Sequence, residues 1–230
     1  MSQAAVTVLD MVNKILVRLR ESEVNSINDT DQSSAILRLI NDAKREVEDS
    51  FNWTSLQDTI TLSTTASTHT YALEANPIFT NQRSRVVDVF NTTTNVRLQA
   101  VPYDYARRQS QTTNDETAEP IQYAVAGVTA TQSLNIRFYQ TPDATYSMDV
   151  ECVIPQEDLN ADNQYTKVPW NPVYLRALAL AIRERGEDEG EQSSDVQLAY
   201  QQAIGDAIAY EQTHKWQAQG GGDWVVFGDY

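Results

Sequence analysis

Residues 34–62 read SAILRLINDAKREVEDSFNWTSLQDTITL, and the hydrophobic period changes inside that stretch. Ile36, Ile40, Ala43, Val47 and Phe51 recur at three- and four-residue steps, which puts them on one face of a helix spanning Ser34–Phe51. Arg38, Asp42, Arg45, Glu46 and Asp49 fall on the opposite face, several at spacings suited to ion pairs one turn apart. From Asp58 the period is two: Ile60 and Leu62 alternate with Thr59, Thr61 and Ser63, the pattern of a half-buried strand.

Outward from that switch, helical patterning occupies the two ends of the chain. Thr7–Leu19 carries Val8, Met11, Val12, Ile15 and Leu19 on one stripe, and Thr7 with Asp10 forms a capping-box-like pair. Ser22–Gln32 is polar and acidic, a loop. On the C-terminal side, Pro172–Arg185 is the most apolar helix, with Asn171 expected as its N-cap and Gly186 as its end. Asp195–Trp216 follows an acidic turn, Glu187–Glu191. Ser194 and Gln197 suggest its capping box, and Val196, Ala199, Tyr200, Ala203, Ile204, Ala207 and Ile208 form a stripe rich in small residues. Neither terminal pair is long enough to bury its apolar faces alone, so the two ends are expected to pack together.

The middle of the chain is strand-like. Besides the strand after Asp58, the alternation predicts strands at Arg85–Asn91, Val96–Val101, Ile121–Ala126, Leu134–Tyr139 and Tyr146–Ile154, with a weaker one at His69–Leu73. Thr141–Thr145 reads as a turn that would make the last two strands an antiparallel hairpin. Tyr103–Gln109 suggests a single helical turn, and Ser110–Glu119, apolar only at Ala118, a mobile loop. The expected fold class is therefore α+β: a helical bundle built from N- and C-terminal helix pairs with an inserted antiparallel β-rich domain. The expected limits are 1–55 and 168–216 for the bundle, 56–167 for the insertion and 217–230 for a tail. In that tail, Gly220, Gly221 and Gly222 form a hinge. Beyond it, Trp224, Val225, Val226, Phe227 and Tyr230 make an apolar segment expected to dock on a neighbouring subunit or partner.

Composition narrows the function. The chain has 230 residues, 41% hydrophobic and 21% charged, which is ordinary for a globular protein. Mean hydropathy of −0.47 and the lack of an apolar run near eighteen residues argue against a membrane span. Asp10 interrupts the first apolar stretch, so no secretory signal is expected. Net charge is −15, which disfavours phosphate contacts, although Arg83 with Arg85 and Arg107 with Arg108 form local basic pairs. Such acidity serves solubility, or a surface that must not hold DNA passing close by.

Catalytic patterns are not evident. There is no Gly-rich phosphate loop, nucleophile elbow or HExxH sequence. Asp158–Asp162 mimics the first half of a calcium loop, but Asn163 stands where glycine is needed and Pro169 where a bidentate glutamate belongs. Cys152 is the only cysteine, expected as a buried strand residue, and His69 and His214 lie far apart. Aromatic residues of the β region, among them Tyr71, Tyr105, Tyr123 and Phe138, lack the basic track that single-stranded nucleic acid requires. No catalytic, cofactor or metal residue is assigned.

The hairpin with Leu39–Val47 and Phe51-Asn52-Trp53, the β run and the Pro172–Gly186 helix together resemble the head-to-tail adaptors of tailed bacteriophages, called tail tubular protein A in short-tailed phages. The resemblance covers roughly Thr7 to Trp216. It implies a non-enzymatic virion structural protein, assembled in the host cytoplasm and located at the head–tail junction. It further implies a dodecameric ring bound to the portal protein above and to a nozzle or other tail proteins below. Double-stranded DNA would pass through the lumen during ejection without specific binding, helped by acidic walls. Alternatives from other classes are a carboxylate-dependent hydrolase acting on the host cell wall and a monomeric glycan-binding module. Zymography would separate the first from an adaptor, and glycan binding without assembly the second.

Overall fold

A computed structural model describes residues 6–75, 77–112, 117–186 and 191–219, with the backbone alone described at a few helical positions. Among these residues the chain is mixed α+β, with five α-helices and mainly antiparallel sheets. It divides into two compact units: Met1–Ser55 with Gln156–Tyr230, and Leu56–Pro155.

The first unit contains α1 (Val8–Arg18), α2 (Asp31–Ser50), α4 (Trp170–Arg185) and α5 (Glu191–Gln219). Thr7 caps α1: its hydroxyl accepts the Asp10 N–H at 3.1 Å while the Asp10 carboxylate accepts the Thr7 N–H at 3.0 Å. That hydrogen-bonded pair lowers the Asp10 pKa below 3.8. Helix α2 begins at Asp31, three residues before the expected Ser34, because Thr30 and Ser33 already close a capping box. The stripe residues Ile36, Ile40, Ala43 and Val47 are buried. The helix ends where Phe51 turns extended, and buried Trp53 donates its indole N–H to the Val47 carbonyl at 2.7 Å.

Two helix starts differ from expectation. Helix α4 begins at Trp170 with Pro169 at the N-cap and no side-chain cap, so Asn171 is not the capping residue. Pro172 still falls among the first residues, whose N–H groups have no intrahelical partner, and its missing donor costs nothing there. Helix α5 begins at Glu191, which places Ser194 and Gln197 inside the helix and not at its cap. Gly186 does end α4, in the left-handed conformation at φ 66°.

Gln156–Val168 carries no helical or alternating pattern, yet it belongs with the helices. Val8 and Leu9, at the start of α1, donate their N–H groups to the carbonyls of Gln164 and Asp162. Asn41 of α2 pairs reciprocally with the Leu159 backbone at 2.8 and 3.1 Å. Lys44 and Glu48 hold the same segment from inside. Both side chains are fully buried, and the Lys44 Nζ donates to the carbonyls of Gln156 and Glu157 at 2.6 and 2.8 Å. The Glu48 carboxylate lies 3.4 Å from that ammonium and accepts the Gln156 N–H at 3.2 Å.

The second unit is two four-stranded sheets around one core. The first sheet has β1 (Gln57–Ser63) and β10 (Ser147–Val153), then β5 (Arg85–Asn91) and β6 (Val96–Arg97), in the order β1-β10-β5-β6 and antiparallel throughout. The second has β2 (Thr70–Ala72), β9 (Leu134–Tyr139), β8 (Gln122–Val128) and β7 (Gln99–Ala100), in the order β2-β9-β8-β7, with β7 parallel to β8. A small hairpin pairs β3 (Glu74–Ala75) with β4 (Ile78–Phe79). Ile60, Val89, Met148 and Val150 from one sheet meet Tyr123, Ile136 and Phe138 from the other, with Leu73 and Leu98 between them.

The expected hairpin of the last two strands is not formed, since β9 and β10 lie in different sheets. Residues 140–146 carry the chain between the sheets: both faces of the unit's core need an apolar strand, and each of these strands has only one apolar face. The expected Val96–Val101 strand likewise splits. β6 pairs in the first sheet, β7 in the second, and the buried Leu98 marks the crossing. The expected helical turn at Tyr103 is a full helix, α3 (Tyr103–Thr112), whose buried Ala106 faces the second sheet. Ser110 to Thr112 is thus helix and not loop. Thr117 bridges Thr141, and Ala118 donates to the Thr141 carbonyl at 2.9 Å.

Candidate assembly surfaces

Helix α5 is the most exposed long element of the helical unit. Its small-residue stripe is only half covered: Val196, Tyr200, Ala203, Ile204, Ala207 and Ile208 are partly buried, and none of its described side chains is fully buried. Leu198 and Tyr210 are 64% and 68% exposed, more than any other large apolar side chain described. Nothing stands within 4 Å of where a side chain at Gly205 would begin. A helix of this length that packs one narrow face leaves the rest free for contact with another surface.

Arg176 fixes α5 in place. Its guanidinium binds Glu46 of α2 through two nitrogens at 2.6 and 2.9 Å and Gln197 of α5 at 2.7 Å, and it lies 5.7 Å from the Tyr200 ring. Hydrogen bonding to Glu46 raises its pKa further, while burial raises that of Tyr200. Glu211, farther along α5, accepts the Thr54 N–H at 2.7 Å. Between α4 and α5 an open cleft of about 630 Å³ is lined by Arg176, Leu180, Arg183, Ser194 and Leu198. A second open groove of about 760 Å³ lies along α1 and α4, lined by Asn13, Lys14, Val17, Trp170 and Tyr174. There the Lys14 ammonium sits 4.3 Å from the centre of the Trp170 ring.

In the β unit, Val87, Phe90, Val96, Ile121, Val125 and Val128 are each more than a third exposed. Among the described residues, strand β1 is the longest unpaired sheet edge. Its partner bonds run through even-numbered residues, as the flanking bonds from Ile154 N–H to the Leu56 carbonyl and from Thr64 N–H to the Tyr146 carbonyl show. Gln57, Thr59, Thr61 and Ser63 therefore direct their backbone N–H and C=O groups away from β10.

The residues singled out in the sequence take ordinary structural roles where they are described. Cys152 is buried in β10, and burial pushes its pKa up to about 12. The carboxylates of the calcium-like run point to different tasks: Asp158 meets Arg45 at 2.5 Å, while Asp162 accepts the Ile27 N–H at 2.8 Å. His69 Nδ1 bonds the Thr70 hydroxyl at 2.8 Å. Tyr71 donates its hydroxyl to the Thr68 carbonyl, Tyr123 and Phe138 pack in the core, and the Tyr146 hydroxyl bonds Asp143 at 2.7 Å. Among the described residues, no three His, Cys, Asp or Glu side chains converge as a metal would require. The hinge Gly220–Gly222 and the apolar Trp224, Val225, Val226, Phe227 and Tyr230 lie outside the described residues.

The buried pair of Lys44 and Glu48 is the feature sequence reading missed. Its signal was present: both positions lie one turn apart between Ile40 and Phe51, close to the apolar stripe of α2.

A half-covered helix in one unit and, among the described residues, an unpaired strand edge in the other are surfaces on which further protein can dock. Over residues 6–223 the chain matches the family model described as SU10 adaptor protein, and it belongs to that family of phage adaptors, structural proteins of the virion. No curated protein matches the chain.

Proposed function

We propose that this chain is the head-to-tail adaptor of a tailed phage, similar to tail tubular protein A, forming a ring beneath the portal that joins capsid to tail. The family match over residues 6–223 carries this reading. In it, the helix pairs at the two ends form a bundle that serves as the ring wall, with α5 at a subunit boundary. Ring closure brings two different patches of each subunit together, and the exposed Leu198 and Tyr210 suit one of them. The β unit offers edges and loops to a nozzle or other tail proteins. Net charge of −15 suits a channel wall along which DNA slides during ejection without being held. Assembly takes place in the host cytoplasm, and twelve copies complete the ring. The segment Trp224–Tyr230, tethered by Gly220–Gly222, grips a neighbour or the portal.

The test is assembly with the phage's own portal. Purified chain and portal are mixed and read by light scattering after gel filtration and by negative-stain imaging. Rings capping the portal are expected. Failure to bind portal and to form rings at any concentration would sink the proposal, whereas a free monomer without portal would not.

A further inference from the structure

We infer that the outer edge of β1 is the acceptor for the apolar segment Trp224–Phe227 of a neighbouring copy, which adds to the first sheet as a fifth strand. The inference rests on the proposed docking of that segment and names the surface it uses. Sheets leave few long edges unguarded, because unpaired backbone groups recruit other strands. The remaining outer strands of the two four-stranded sheets, β2, β6 and β7, have three, two and two residues. β1 has seven. Among the described residues no backbone partner reaches the outward groups of Gln57, Thr61 and Ser63. The outward Thr59 N–H donates to the Asp58 side chain at 2.9 Å, a local plug that an incoming strand would displace.

The surroundings of that edge are apolar on the core side. Leu62 of β1 is only partly buried, and so are Ala75 and Ile78 of the neighbouring β3–β4 hairpin, where Phe79 is 54% exposed. A strand laid along β1 covers this rim with every second side chain, so an occupant apolar at alternate positions is required, and one apolar at every position meets the rim in either register. Trp224-Val225-Val226-Phe227 is such a run, β-branched and aromatic as strands favour. Main-chain pairing then supplies affinity and alternate side chains supply specificity.

Disulfide trapping in the assembled full-length protein tests this. Copies carrying Thr61→Cys are mixed with copies carrying Val225→Cys or Val226→Cys, assembled on portal and mildly oxidised, with the buried Cys152 left in place. A disulfide forms only where the two Cα atoms come within about 7 Å. Heterodimers linking position 61 to the tail are expected. They should be lost when the acceptor also carries Thr59→Pro, which deletes an outward donor and spares the bonds to β10. Unchanged thermal unfolding of the Thr59→Pro protein establishes that it is folded. Assemblies that trap the tail at Leu198→Cys instead, or trap nothing at position 61, overturn the β1 acceptor. Truncation after Gln219 separates the two readings. If it weakens assembly while position 61 stays untrapped, the tail docks elsewhere; if assembly is unaffected, docking of the tail itself is wrong.

Discussion

Lys44→Ala is expected to be among the most damaging single substitutions in the helical unit, because the buried lysine holds the returning chain from inside. The change leaves the Glu48 carboxylate buried without its cation and strips two carbonyls, Gln156 and Glu157, of their donor. Removing one partner of a buried ion pair costs about 3–5 kcal/mol, because the remaining charge stays desolvated. Lost packing of the four-carbon stem adds to this, and water entering the cavity offsets part of it. In a chain of this length each kcal/mol moves the melting temperature by about 2–4 °C, so a drop of roughly 6–20 °C is expected. The double variant Lys44→Met with Glu48→Leu removes both charges while keeping the volume, and should recover at least half of that loss. Circular dichroism melts of the unmodified protein, Lys44→Met, Glu48→Leu and the double variant close a cycle and give the coupling energy. Hydrogen exchange would show where the loss falls, with amides from Gln156 to Leu159 losing protection first. If Lys44→Ala costs under about 1 kcal/mol, or if the double variant is worse than both singles, the pair does not clamp the returning chain in the way described.

Gly186→Ala forces a side chain into the left-handed region at φ 66° and is expected to cost about 1 kcal/mol, read as a lower denaturation midpoint. Thr7→Ala should destabilise α1 by about 1 kcal/mol, the usual cost of losing an N-cap. The same change should bring the Asp10 pKa back up toward 3.8 in an NMR titration. Because that pKa is depressed in the folded state, the linked stability is present above pH 3.8 and lost as pH falls through the folded value, and Thr7→Ala should flatten this dependence. Cys152, buried and with its pKa pushed up to about 12, should resist thiol reagents at pH 8 until the β unit opens. Rapid labelling in native buffer would contradict its placement.

Much of the secondary structure was legible from local pattern. The stripe Ile36, Ile40, Ala43 and Val47 is buried as its period requires, and Leu134, Ile136 and Phe138 face the core as strict alternation demands. Helix starts were less legible, because capping signals are short and recur: Thr30 with Ser33 outcompeted Ser34, and Ser194 carried a cap pattern inside a longer helix. Strand partners were not legible, since an alternating run states which face is apolar and nothing about which strand lies beside it. That is why β9 and β10 read as a hairpin, and why Leu98 gave no sign of joining two sheets. The candidate surfaces show the same limit. Apolar residues of α5 were visible, but only the neighbours of Leu198 and Tyr210 decide that they stay exposed.

Sequence by itself determined the change of period near Asp58, the helical ends, the strand-rich middle and the surplus of acid. Each of these is a property of residues within a few positions of one another, where the 3.6 and 2.0 repeats of the backbone act directly. Tertiary structure alone decided which strands pair, that Gln156–Val168 returns to the helices, and that Lys44 and Glu48 are withdrawn from water to hold it there. Those outcomes depend on contacts between residues far apart in the chain, as between Lys44 and Gln156 or Gln57 and Val153, and on competition for a limited buried surface. The outer edge of β1 is of the same kind: its sequence is that of any half-buried strand, and only the final sheet order leaves it unpaired among the described residues.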